Sequence, residues 1–226
     1  MTPEAADSLR RSAAHVVVDD VSLPVLGEAE THHVFRVLRV ADGDTVSVTD
    51  GRGGWRLCTA IGGAVEPTGE VQQEVPPSDP LTIGFAVPKS DRPEWIVQKL
   101  TELGVDRIVV LHADRSVVRW DAQRGEKHLA KLRRTALEAV QQCRRVFVPE
   151  VDGPYDAIDV LPRAVAAEPG GRKVAQGDDF MVIGPEGGWS ERELAVAGDR
   201  VSLGPNVLRV ETAALVAAVQ RYSHPE

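Results

Sequence analysis

Three prolines within Val75-Pro76-Pro77-Ser78-Asp79-Pro80 divide this chain into two stretches with different hydrophobic periods. Beyond them, short apolar runs alternate with segments of helical spacing. Leu81–Val87 predicts a strand, and a helix follows from about Asp91 to Leu103, with Pro93 in its first turn and Gly104 at its stop. Next come a strand at Arg107–Leu111, a long basic helix at about Gly125–Cys143, a short strand at Arg145–Val148 and a helix at Ala157–Ala166. The apolar run Phe180–Ile183 is a further strand, and Ser190 with Glu193 forms a capping box that opens a helix. A strand near Val201–Leu203 and a helix from Glu211 to about Tyr222 complete the series. Strands alternating with helices predict an α/β domain whose parallel sheet is covered on both faces.

Before the prolines the period is two. Valine-rich runs at His15–Asp19, Thr45–Asp50, Trp55–Ile61 and Glu70–Val75 are separated by Gly and Asp breaks, with one helix at about Glu28–Val40. A small β-barrel carrying one helix is expected. The domain assignment is therefore 1–75 for this barrel, 76–80 for a stiff linker and 81–226 for the α/β domain.

Charge narrows the partners. The 226 residues carry 34 acids against 26 bases, a net charge of −8, which ordinarily argues against nucleic acid. The segment from Arg115 to Arg145 reverses this, with nine bases against three acids. Such a surface suits phosphate oxygens, because the arginine fork matches their geometry. No apolar run reaches the length of a membrane-spanning helix, and no signal peptide opens the chain. The two cysteines, Cys58 and Cys143, lack the spacing of a disulfide framework or a metal site, so the reading is a cytoplasmic protein without membrane or metal.

In open α/β sheets ligands bind at the carboxyl ends of strands. Two loops there stand out. Gly184-Pro185-Glu186-Gly187-Gly188 follows an apolar strand and lets a ligand approach the backbone closely. It matches neither the Walker pattern nor the dinucleotide fingerprint, so phosphate-cradling chemistry is not indicated. The second loop is Leu203-Gly204-Pro205-Asn206-Val207-Leu208-Arg209-Val210-Glu211-Thr212-Ala213. A carboxylate such as Glu211 is favoured at a helix start, whereas Arg209 between two apolar residues points to an anion or a substrate.

These two stretches resemble the paired C-terminal motifs of knotted SPOUT-class RNA methyltransferases. More narrowly they resemble the ribosomal RNA small subunit methyltransferase E family, which makes N3-methyluridine in 16S rRNA. His32-His33-Val34-Phe35-Arg36-Val37-Leu38-Arg39 followed by Asp42-Gly43-Asp44 is similar to that family's PUA-like N-terminal domain. Lys89 to Gly104 is similar to its first catalytic-domain helix. The chain departs from the family pattern at Asn206, where an arginine is usual, and around Gln141 and Arg144.

The resemblance implies a trefoil-knotted parallel sheet behind a PUA-like β-barrel, a homodimer, and S-adenosyl-L-methionine held between the two loops. Gly184, Glu186, Gly187 and Gly204 are the expected cofactor contacts, with Leu203, Val207 and Leu208 as apolar walls. Arg209 is the candidate for stabilising the charge on a deprotonated uracil, and Glu211 for general base. Arg10, Arg11, His33, Arg36, Arg39, Arg115 and Arg145 are the expected contacts to 16S rRNA, within the small ribosomal subunit. The alternatives are another SPOUT enzyme acting on tRNA or ribose, and a non-catalytic rRNA-binding or assembly protein.

Overall fold

The computed structural model describes residues 1–89 and 92–223, which fall into two compact units. Residues 1–77 and 137–148 form the first; residues 78–136 and 149–223 belong to the second. The first change of unit falls inside the proline-rich stretch.

The first unit opens with α1 (Pro3–Arg11), which the sequence reading did not anticipate. Its residues are mostly polar, but the Thr2 hydroxyl caps it and Leu9 is fully buried. There follow β1 (Ala14–Val17), α2 (Glu28–His32) continuing as a π turn over His33–Val37, β2 (Thr45–Thr49), β3 (Gly54–Ile61), β4 (Ala64–Pro67) and β5 (Gln72–Gln73). The sheet runs β1-β2-β3-β4, with β5 also on β3; β1 and β2 are parallel and the other pairs antiparallel. The strand expected over Glu70–Val75 shrinks to two residues, and β4 was not foreseen. Alternate valines at 16, 46 and 48 fill the core with Val34 from the π turn.

A buried polar cluster lies beside that core. His15 donates from Nε2 to the Arg145 carbonyl at 2.9 Å and accepts from the Ser47 hydroxyl at 2.7 Å. Burial disfavours the charged imidazolium and pushes the His15 pKa down to about 4 from the usual 6.5. The unfolded chain takes up a proton below 6.5 that the folded chain refuses until about 4. Stability is therefore fully present above 6.5 and declines between those two values, by at most about 1.4 kcal/mol per pH unit. An NMR titration of His15 should show its midpoint near 4. Replacing His15 with Gln should remove this contribution to the pH dependence of chemical denaturation.

The second unit is a six-stranded sheet in the order β11-β9-β10-β6-β7-β8, parallel throughout. Its elements are β6 (Thr82–Ala86), α3 (Arg92–Leu103), β7 (Arg107–His112), α4 (Ala122–Cys143), β8 (Glu150–Asp156), α5 (Ala157–Val160) with a 3-10 turn at Leu161–Arg163, β9 (Val165–Arg172), β10 (Phe180–Ile183), α6 (Glu191–Val196), β11 (Asp199–Val201) and α7 (Val210–Tyr222). Asp91, where the sequence places the start of α3, lies outside the described residues. The last turns of α4 belong to the first unit. Side chains alternate as a doubly covered sheet requires. Ile83, Phe85, Ile108, Val110 and Met181 face α3, α4 and α7. Val109, Leu111 and Val182 face α5 and α6.

Two expectations fail here. Arg145–Val148 is not a strand of this sheet: only Phe147 forms an isolated antiparallel bridge, to Arg52 of the first unit. The strand is β8, whose Gly153-Pro154 reads as a break but sits on the sheet edge, where proline is tolerated. The helix expected over Ala157–Ala166 is short, and Val165 and Ala166 begin β9 between β10 and β11. No described helix is long and apolar enough to cross a membrane.

Candidate active site

The first loop leaves β10 at Gly184 and folds back under a tryptophan. Trp189 is buried and donates from Nε1 to the Ala167 carbonyl at 3.1 Å. A Cβ on residue 184 would lie 3.0 Å from the indole ring, so any other residue there would press on the tryptophan and displace it by a few tenths of an ångström. Arg115, from the β7–α4 connection, donates through Nη1 to the carbonyls of Gly187 at 3.1 Å and Trp189 at 3.0 Å. This guanidinium, expected on RNA, braces the loop.

The same connection is tied to the start of α6. Glu193 is buried and completes the expected capping box with Ser190. Its Oε1 also accepts from the Asp114 amide at 2.8 Å. Asp114 accepts from the Ser190 hydroxyl at 2.5 Å and pairs with Arg192. These donors hold its carboxyl well below the usual carboxylate range.

The second loop follows β11. Gly204 has φ +147°, and beyond its two chain neighbours no atom of the described residues lies within 4 Å of where a Cβ would stand, so the backbone there is open to close approach. Leu203 and Leu208 pack partly against the core, while Val207 is 90 % exposed. The Gln220 side chain donates to the Leu203 carbonyl at 3.2 Å and fixes the bend to α7. Arg209 is the N-cap residue of α7 but makes no side-chain cap bond; it is exposed and has no ion-pair partner among the described residues.

Arg92 joins the loops. Its Nη1 lies 4.0 Å from Glu186 of the first loop and 3.6 Å from Glu211 in the first turn of α7. The second oxygen of Glu211, Oε2, is buried without a hydrogen-bond partner among the described residues. Sequence reasoning missed Arg92. It follows the carboxyl end of β6, where the rule applied to the other loops also pointed, but its position read as an ordinary helix start. The two bends therefore offer main-chain groups, apolar side chains and two carboxylates that share the Arg92 guanidinium, with the exposed Arg209 at the start of α7 and Arg115 held on the loop carbonyls. That donor set suits a ligand with an apolar body and a cationic centre, such as an adenosyl sulfonium, better than a polyphosphate.

Of the expected RNA contacts, Arg10, Arg11, His33, Arg36 and Arg39 are exposed on the first unit. Arg11 pairs with Asp7 at 2.9 Å, and Arg39 takes a left-handed φ of 59° at the end of the π turn. Arg145 is partly buried in the same unit. Its neighbour Arg144, part of the basic run, has φ +60° and donates to the carbonyls of Leu9 at 2.8 Å and Ser12 at 2.6 Å. That arginine closes α4 and holds the end of α1.

The fold and loops have known counterparts. Residues 75–220 match an RNA methyltransferase domain family, and residues 26–61 match an RNA methyltransferase PUA domain. The ribosomal RNA small subunit methyltransferase E of Mycobacterium bovis is 33 % identical, covering 88 % of this chain and 86 % of its own. That of Bacillus subtilis is 30 % identical, over 85 % of this chain and 86 % of its own. The crystal structure of the Neisseria gonorrhoeae enzyme of that name, bound to S-adenosyl methionine, shares the fold with a TM-score of 0.77 at 24 % identity. It covers 93 % of this chain and 97 % of its own. The N-terminal match, the domain match and relatives aligned along nearly the whole sequence agree, and the chain belongs to the ribosomal RNA small subunit methyltransferase E family.

Proposed function

We propose that this protein transfers a methyl group from S-adenosyl-L-methionine to N3 of a uridine in 16S ribosomal RNA. The observation that carries the reading is Arg92, whose guanidinium brings Glu186 and Glu211, from loops far apart in sequence, to one place beyond the carboxyl end of β6. The cofactor is held by main-chain groups at Gly184, Gly187 and Gly204, with Leu203, Val207 and Leu208 beside it. When bound, it supplies an electrophilic methyl on a cationic sulfur. Glu186 complements that positive charge. The protein's remaining task is to orient the uracil and remove its imide proton. Glu211 accepts that proton, and Arg209 donates to the carbonyl oxygen on which charge develops. A threaded C-terminus and a homodimer belong to the same proposal.

The charge argument has a direct test in calorimetry with S-adenosylmethionine and with its neutral thioether, S-adenosylhomocysteine. Glu186 is 41 % exposed, so water screens it, and Glu186→Gln should weaken the sulfonium ligand about threefold more than the thioether, the range of an exposed ion pair. An equal effect on both ligands removes Glu186 from the sulfur.

The exposed arginines of the first unit track phosphates in this reading. Arg36→Ala with Arg39→Ala should lower affinity for rRNA and flatten the plot of log K against log salt by about 1.4, at about 0.7 per phosphate contact on single strands. An unchanged slope excludes them from the RNA surface.

A further inference from the structure

We propose that a second pocket of the second unit, walled by Trp120 and His128, receives the unstacked base of the RNA nucleotide that is modified. This rests on the function proposed above and gives that reaction its substrate site. The cavity has a volume of about 280 Å³. It lies between the end of β6, at Val87 and Pro88, the first turn of α3, at Pro93 and Glu94, and the start of α4.

Position is the first argument. Pro93 and Glu94 line the cavity, and the residue before them, Arg92, reaches both Glu186 and Glu211. The connection that supplies Arg119 and Trp120 to the pocket also supplies Arg115 to the glycine loop. The pocket thus shares two supporting segments with the loops assigned to the cofactor. A base modified at a ring nitrogen has to leave its stack to reach such a donor, and the enzyme then needs an aromatic or apolar slot to receive it.

The lining is the second. Trp120 and His128 stack with ring centroids 4.4 Å apart and an interplanar angle of 17°, which makes a π wall. The main chain that carries it is held, because the Trp120 amide donates to Nε2 of His112 at 3.1 Å. Val87, Val118 and Leu132 supply apolar surface, as a base face requires. At the rim Arg119 and Arg124 lie beside exposed acids, Asp156 at 4.0 Å and Asp121 at 3.5 Å. Exposed pairs of this kind contribute little, so a nucleotide phosphate can replace either acid. Glu94 is already paired with Lys131 at 2.5 Å and does not repel that phosphate.

The experiment is a titration of the ¹⁵N-labelled full chain, saturated with S-adenosylhomocysteine, with uridine 5′-monophosphate. The indole N–H signal of Trp120, assigned with the conservative variant Trp120→Phe, should move and saturate, while those of Trp55 and Trp95 stay. Trp120→Leu should weaken binding at least about fivefold, the lower bound for one base–aromatic stack; Trp120→Phe should retain it, which separates stacking from folding. Arg119→Ala with Arg124→Ala should bring the monophosphate down to the affinity of uridine. A Trp120 signal that stays still, or that moves only without the cofactor analogue, overturns the proposal, the latter by giving the pocket to the adenosine. Movement of Trp120 in a protein that transfers no methyl group to rRNA would leave the pocket standing and sink the methyl-transfer reading alone.

Discussion

Arg209→Ala should lower kcat for methyl transfer to rRNA by about 10²–10³, the loss found when one donor to a developing oxyanion is removed. The structure makes this a clean experiment. Arg209 is exposed, and although it occupies the N-cap position of α7 its side chain caps nothing. Removing it costs no cap bond and no core contact, so the melting temperature and the affinity for S-adenosylmethionine should stay within error. Arg209→Lys keeps the charge but loses the planar fork and should recover only part of the rate. Single-turnover rates separate chemistry from product release. A loss smaller than about tenfold in that assay removes Arg209 from the reacting atoms.

Trp189→Ala should cost about 3–5 kcal/mol, the range for truncating a buried tryptophan. Trp189 is 3 % exposed and packs among Ala86, Leu111 and Leu161 on the α5–α6 side of the sheet. At a few degrees per kcal/mol for a chain of this size, a fall in melting temperature of roughly 10 °C is expected. Because its ring covers Gly184 and its Nε1 ties the loop to the Ala167 carbonyl, the first loop should lose its shape before the sheet does. Affinity for S-adenosylmethionine should therefore drop in the variant even at temperatures where circular dichroism is unchanged. Trp189→Phe keeps most of the packing but leaves the Ala167 carbonyl without its donor, so its cost should be about 1–3 kcal/mol. If cofactor affinity survives in Trp189→Ala, the glycine loop does not hold the cofactor.

What the sequence displayed, and what it hid, follows from where each signal resides. The strands β6, β7 and β10 are apolar runs bounded by breakers, and the α6 start is a local capping box; each is encoded within a few residues. The helix α7 is readable from Val210, Ala213, Ala214, Ala217 and Ala218, which recur on one face and pack closely on α3. By contrast β8 and β9 carry Gly-Pro and Pro-Gly-Gly inside them, and only their neighbours in the sheet make them strands. Tertiary pairing overrides local propensity there. The short helix α1 is mostly polar and depends on one cap and one buried leucine. In the site, both loops were legible because glycines at strand ends are conspicuous. The partners of individual arginines were not: Arg115 and Arg144 look like phosphate ligands in a basic run, yet they bind main-chain carbonyls across long stretches of sequence. Arg92 had the opposite fault, an unremarkable position whose importance lies in two distant carboxylates.

Nucleoside mass spectrometry of 16S rRNA from cells with and without the gene tests the central claim most directly. One N3-methyluridine should disappear from the deletion strain, return with the wild-type gene and stay absent with the Arg209→Ala gene. An unaltered set of methylated uridines in the deletion strain contradicts the account.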